Sequence, residues 1–546
     1  MRKIRFRSVV ALAQMRLSVK SAAIVLASST LVSALLGLFR DRLLNSYYLG
    51  TYPTGIDAYT AAFTVPDFMF FILTSGALAV SFIPVFNQRL ATGNKKSAWE
   101  MSASLLNLLA VLSLIVSVLI MIFADPLIRY IVSPGLDESG MVLAINMTRV
   151  IAINPFLFSI ATVLTSMQQA VGRFVFYAFA PAIYNIGIII GITCFTNGIS
   201  LFGVQIFEGG IMGVALGVIL GAIMQLIVAL VGLFGLGFDY DFKIHWKNQG
   251  FKAILRLLPP RSLDQGIDYI NSIVSTNLSS RMGAGAVRSY DQATSLHTMP
   301  VNLIGVAIST AFFPKLTDEL GSGDKEKFNE TFRQALRTII WTALPISVIA
   351  FFARGYVVSF ISNIGNNDSN GTIASILGTL CVAIFAKSVF HIASRGFYAY
   401  QDTRTPFRVS IVAIGSTIGL MVLFTFNGWG VDGLGIAQSI GAMFEVILLL
   451  VILQKRSRGK LLDKAFWRAM ERMLVATVIA GCVAFSMTKF IPLMATDNSL
   501  VITIPKFLLI STVSMIAYMV ASYFLNLKEV QPIYRYFKRK LFKNAK

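Results

Sequence analysis

Roughly fourteen separate runs of apolar residues, each near the twenty needed to cross hydrocarbon as a helix, occupy most of this 546-residue chain. They lie near 21–39, 56–80, 98–124, 141–165, 175–195, 203–235, 262–284 and 288–313, then 334–353, 371–397, 406–427, 431–454, 470–492 and 499–526. Only 13% of residues are charged, against about 25% in soluble domains, and mean hydropathy is +0.71. The expected fold is therefore an all-α polytopic membrane protein of about fourteen transmembrane helices. Residues 21–39 are long enough to span and lack an A-x-A site, so they are expected to stay as the first span.

The net charge of +21 would suit a nucleic-acid binder, but the basic residues sit in short tracts between spans. They occur before the first span and after the second (Arg89, Lys95, Lys96), sixth (Lys243, Lys247, Lys252, Arg256), eighth (Lys325, Lys327, Arg333, Arg337) and twelfth (Lys455, Arg456, Arg458, Lys460), and again in the tail from Arg535. The connections after the fifth and eleventh spans have none. Cytoplasmic loops carry the excess Lys and Arg, which puts both termini in the cytoplasm, requires an even span count, and argues against nucleic acid as a partner. The three cysteines and three histidines show no metal-ligand or redox spacing, and no Walker A, HExxH or GxSxG sequence supports an enzyme.

The chain also repeats itself. SFIPVFNQRLATGNKK follows the second span and AFFPKLTDELGSGDKE the eighth, which pairs Pro84 with Pro314, Leu90 with Leu320 and Gly93 with Gly323 at an offset of 230 residues. Arg173 and Arg404 differ by 231. Six spans separate the copies, so the halves share one orientation, as in transporters whose parallel repeats flank a central site. The expected divisions are a basic segment 1–20, lobes 21–240 and 241–460 around a central cavity, a C-terminal helix pair 461–527 and a basic tail 528–546.

Within this frame the charges at 37–63 stand out. Arg40, Asp41 and Arg42 are expected to close the first apolar helix, and Asp57 begins the next. Charges in or beside spans are costly and tend to be functional. The structural alternatives are an interfacial Arg40–Asp41 pair and a helix N-terminal charge at Asp57.

The segments GLFRDRLLNSYYLG…GIDAYTAAFTVPD, LTSGALAVSFIPVF, LTSMQQAVGRFVFYAFAPAIYN, MPVNLIGVAISTAFFPKL and RGFYAYQDTRTPFRVS resemble the MurJ/MviN lipid II flippases of the multidrug/oligosaccharidyl-lipid/polysaccharide exporter superfamily. The resemblance implies a bacterial inner-membrane protein that moves the undecaprenyl-diphosphate-linked peptidoglycan precursor to the periplasmic leaflet, and not an enzyme. It implies a V-shaped cavity between two lobes, and a groove for the polyprenyl tail on the last two helices. It implies lipid II, bilayer lipids and cell-wall synthesis proteins as partners. No cofactor is expected, although the membrane potential or a monovalent cation would drive transport, with Asp268 as the cation candidate.

Matched to the family motifs, Arg40, Asp41, Asp57 and Asp291 are the substrate-binding candidates. Where the family carries further cationic residues, this chain has Ala34, Phe70, Phe71 and Gln292. Arg42, Arg281 and Arg288 are the candidate replacements, since a diphosphate favours the bidentate fork of arginine. The alternatives are another polyprenyl-diphosphate-linked glycan or, further off, a drug/cation antiporter.

Overall fold

A computed structural model describes residues 15, 19–75, 78–201, 204–362, 367–457, 461–494, 497, 499–532 and 535. The chain divides into two compact units, 1–287 and 288–546. In the first, α1 (Val19–Tyr48) precedes a segmented second span of α2 (Pro53–Ala62), α3 (Thr64–Phe70), a π-helical turn at Phe71–Ser75 and α4 (Leu78–Ala91). Then come α5 (Lys95–Pro126), α6 (Glu138–Ile151), α7 (Asn154–Ala170), α8 (Val175–Cys194), α9 (Met212–Val231) and α10 (Gln249–Ser280).

α11 (Ala286–Val301) begins at the division. The second unit continues with a π-helical turn at Asn302–Val306, α12 (Ala307–Gly321), α13 (Lys325–Phe352), α14 (Arg354–Val358), α15 (Asn367–Ala399), α16 (Arg404–Phe426), α17 (Gly430–Arg456), α18 (Lys464–Phe490) and α19 (Leu500–Phe524). Among the described residues, thirteen helical stretches are long and apolar enough to cross a membrane. The remaining expected span coincides with α10, whose 32 residues are long enough but carry Lys252 and Arg256.

Three boundaries differ from the apolar runs. α1 does not end at Arg40 but continues to Tyr48, because the charges are paired along its side and RDRLLNSYY contains no helix breaker. The sixth helix starts only at Met212. The preceding VQIF is instead the second strand of an antiparallel hairpin, β1 (Ile199–Leu201) and β2 (Val204–Phe207), a short β-branched run followed by Gly209 and Gly210 at φ +99 and +76. α10 begins well before residue 262, where the Asn248 side chain accepts the N–H groups of Gly250 and Phe251 at 2.9 and 3.2 Å and so caps its first turn.

The repeat extends to backbone geometry. α4 and α12 both end in a glycine of positive φ, Gly93 (+76) and Gly323 (+79), whose N–H bonds back to Leu90 and Leu320; the left-handed conformation suits glycine. The next residue then caps the following helix in each copy: Asn94 accepts from Ser97 N–H and Asp324 from Lys327 N–H, both at 3.1 Å. The Lys327 side chain beside Asp324 holds its carboxyl below the usual range. The π-helical turns also recur, Phe71–Ser75 against Asn302–Val306. A second turn corrects the pairing of Arg173 with Arg404. Gly172 (φ +80) matches Gln401 (φ +59), and α8 and α16 start three residues later in both copies, so Arg404 begins a helix while Arg173 lies in the turn. Arg173 donates there to the carbonyls of Phe234 and Gly235 at 2.9 and 2.8 Å.

Packing in the first unit turns on small residues. A Cβ on Gly187 would lie 2.2 Å from the Gly221 Cα, and one on Gly217 would lie 2.5 Å from the Gly191 Cα. α8 and α9 thus meet backbone to backbone through Gly187/Gly191 and Gly213/Gly217/Gly221, at four-residue spacing. Lipid gives helices no hydrophobic reason to associate, so close approach of small residues supplies the attraction. In the second unit α18 and α19 pack on each other and on α13. The Trp341 indole N–H donates to Ser522 at 3.2 Å, and Arg337 pairs with Glu529 at 2.6 Å.

Candidate functional site

α1 carries Ser33, Gly37 and Arg40 toward α8. The Arg40 guanidinium donates from Nη2 and Nε to Asp41 Oδ1 at 3.0 and 3.3 Å, and from Nη1 to Asn185 Oδ1 at 2.9 Å. Adjacent helical residues do not face each other, but the long arginine side chain folds back far enough to reach its neighbour. Asn185 is held in turn, its Nδ2 donating to the carbonyls of Ser33 and Pro181, both at 3.3 Å. Arg40 keeps 25% of its side chain exposed and Asp41 14%. A guanidinium oriented by two partners, with part of its surface still open, is suited to accept a phosphate.

Asp57 is fully buried, and its Oδ2 accepts the N–H of Gly285 at 2.7 Å. It therefore ties α2 to the turn ahead of α11, where Gly285 sits at φ +84.

The residues standing where the resemblance has arginines form an aromatic run. Phe71 lies 4.5 Å from Tyr269 between ring centres, Phe70 packs on Phe71 and on Phe158, and Phe158 packs on Tyr184, at 5.7, 5.5 and 5.2 Å. Tyr184 adjoins Asn185, so this half-buried apolar wall runs up to the Arg40 group. The π-helical turn at its edge is held by a buried hydrogen bond between Thr74 and Ser159 at 2.7 Å.

Of the proposed replacements, Arg281 is exposed at the end of α10, its Nε on Asn277 Oδ1 at 3.3 Å. In the second unit Arg288 is 4% exposed and reaches Asp291 Oδ2 at 3.4 Å, while Asp291 remains 45% open. Gln292 Nε2 donates to the same oxygen at 3.2 Å. Arg42 is half-buried on α1. The Asp268 side chain lies outside the described residues. Among those described, no group of three or more His, Cys, Asp or Glu is placed to hold a metal ion.

Two charged residues missed from the sequence pair inside the second unit. Lys387 Nζ on α15 lies 3.1 Å from Glu445 Oε2 on α17, and Ser410 Oγ on α16 donates to Glu445 Oε1 at 2.7 Å. Each is a lone charge in a long apolar helix, and that cost is the signal that would have found them.

A family model described as "Lipid II flippase MurJ" matches residues 45–505. The chain belongs to the MurJ lipid II flippase family. Among MurJ relatives, a probable lipid II flippase MurJ of Bdellovibrio bacteriovorus is 27% identical over 454 residues, covering 81% of this chain and 84% of that one. The lipid II flippase MurJ of Burkholderia cenocepacia is 26% identical over 436 residues, covering 78% and 82%. In fold, the chain resembles a solved MurJ in an inward closed conformation, with a TM-score of 0.73 at 21% identity over 92% of this chain and 99% of that one. It also resembles an inward-facing multidrug MATE transporter, with a TM-score of 0.66 at 19% identity over 80% and 98%. The MurJ family is one of transporters, so the chain is not an enzyme.

Proposed function

We propose that this protein carries lipid II from the cytoplasmic to the periplasmic leaflet of a bacterial inner membrane, its two repeated halves alternating around a central cavity. The observation that carries the proposal is the MurJ family match across 45–505. Arg40, oriented by Asp41 and Asn185, takes the diphosphate. Arg288 and Asp291 offer a second polar contact from the other half, and Arg281 a rim contact. Asp57 supports the site by holding the turn at Gly285. The aromatic run Phe70–Phe71–Phe158–Tyr184 gives the glycan or the first prenyl units an apolar wall, and α18 and α19 offer the tail a greasy surface, where each buried CH₂ contributes roughly 0.8 kcal/mol. The membrane potential or a monovalent cation supplies the drive, with Asp268 as the candidate residue for the latter.

The test is replacement. A bacterium depleted of its own lipid II flippase is expected to grow and keep its shape when this chain is expressed, and spheroplast assays should then find lipid II in the outer leaflet. Lysis despite normal expression would overturn the proposal.

Basic tracts favour the cytoplasm, so both termini are placed there. With Cys194 and Cys482 replaced by serine, cysteines at the exposed positions Ser200 and Asn427 are expected to react with a membrane-impermeant thiol reagent in intact spheroplasts. Cysteines at Thr92 and Ser322 are expected to react only after lysis. Labelling of Thr92→Cys from outside would reverse the orientation.

A further inference from the structure

The second unit carries a row of basic groups along one helix that the Arg40 group does not use. Lys387, His391 and Arg395 on α15 are each one turn apart, a spacing that stacks side chains on one face. All three are partly exposed. The exposed apolar residue of the neighbouring turn, Val382 at 50%, lies on another side. At about 100° per residue, Lys387, His391 and Arg395 stand roughly 140°, 180° and 220° around the axis from it. Val382 is suited to acyl chains, whereas cations facing hydrocarbon are costly. The basic row therefore belongs to a polar interior face. It starts one turn from the end of α15 and climbs to Lys387, about 18 Å from that end at 1.5 Å per residue.

The contacts along the row are graded. Arg395 lies 5.7 Å from the centre of the Phe313 ring, and among the described residues its guanidinium has no hydrogen-bond acceptor. Lys387 is 27% exposed and holds Glu445, which is only 4% exposed and is tethered by Ser410. Gly305, in the π-helical turn after α11, packs on this helix, and a Cβ there would lie 2.7 Å from Ser388 Cα and 3.0 Å from His391 Cδ2. The row thus flanks the break that the second copy shares with the first.

We propose that Lys387, His391 and Arg395 form an anion track that takes the diphosphate of the lipid-linked substrate in the C-terminal half, Arg395 first and Lys387 last. Glu445 occupies Lys387 until the phosphate displaces it. The track rests on the flippase reading and adds to it a binding group not foreseen from the sequence. It also offsets the cationic deficit at Phe70 and Phe71.

The test uses the full chain in zwitterionic nanodiscs and measures binding of undecaprenyl diphosphate. Arg395→Gln and Lys387→Gln are each expected to weaken binding about 5-fold and the double variant at least 20-fold, with Arg395→Lys close to wild type. Glu445→Gln, which frees Lys387, is expected to tighten binding 2- to 10-fold, whereas a merely structural ion pair would lower the melting temperature without tightening. Wild-type affinity in a double variant that melts normally would overturn the track, as would a Glu445→Gln variant that binds no better. Equal competition by phosphatidylglycerol would likewise overturn it, since the site would then read any anionic lipid. If the wild-type chain complements a flippase-depleted strain while the double variant binds normally, only the track fails. If the wild-type chain does not complement, the flippase reading fails first.

Discussion

Replacing Arg40 by alanine is expected to abolish growth support in a flippase-depleted bacterium while leaving protein levels near normal. The guanidinium makes three hydrogen bonds to Asp41 and Asn185 yet keeps a quarter of its surface open. It is held by its neighbours but not used up by them. A charged hydrogen bond to phosphate contributes about 1.5–3 kcal/mol, so its loss should slow transport roughly 10- to 150-fold, at 1.36 kcal/mol per tenfold. Arg40→Lys should recover part of this, because an ammonium cannot make the bidentate contact. Asn185→Ala should fall between the two, since Arg40 would remain but be oriented by Asp41 alone. Lipid II transport by the purified variants in vesicles checks the order, and full activity of Arg40→Ala would remove Arg40 from the site.

Gly217→Ile is expected to leave little folded protein in detergent extracts. A Cβ at Gly217 meets backbone on the facing helix, the Gly191 Cα at 2.5 Å and the Gly187 carbonyl oxygen at 3.0 Å, and backbone cannot rotate away as a side-chain tip can. Even Gly217→Ala should cost about 1–3 kcal/mol, the usual range for overpacking, and the branched side chain must push α8 and α9 apart along their whole contact. Gly419 in α16 has open space at its Cβ position, so Gly419→Ala serves as the control and should leave the melting temperature nearly unchanged. Thermal unfolding of the three variants is the measurement. A Gly217→Ile protein that melts like wild type would show that the two helices can part without loss.

The spans were legible because burial in lipid demands a run of apolar residues whatever the tertiary contacts. The boundaries were not. α1 passes through Arg40–Asp41–Arg42 since paired charges do not stop a helix, and apolar content alone cannot tell VQIF in a hairpin from VQIF in a helix. The offset of 230 residues was visible at Gly93 and Gly323, whose turns need glycine, but it slipped by two residues at Arg173 and Arg404, where matching side chains hid a turn carried by Gly172 and Gln401. In the site, Arg40 announced itself by its charge. Asn185, 145 residues away and neutral, gave no such sign. Lys387 and Glu445 obey the same rule as Arg40, but their pairing across three helices exists only in the fold.

The π-helical turns carry a consequence for the history of the molecule. Such a turn is in effect one residue inserted into an α-helix, and it recurs at Phe71–Ser75 and Asn302–Val306. The two segments read FILTS and NLIGV, without a residue in common at matching places. Geometry has been kept where sequence has drifted, so inheritance from one source is the simplest origin. The break is then older than the duplication, and a single-copy ancestor already had it. Deleting one residue from either segment would restore an unbroken helix and, in that half, undo a feature that has outlasted its own letters.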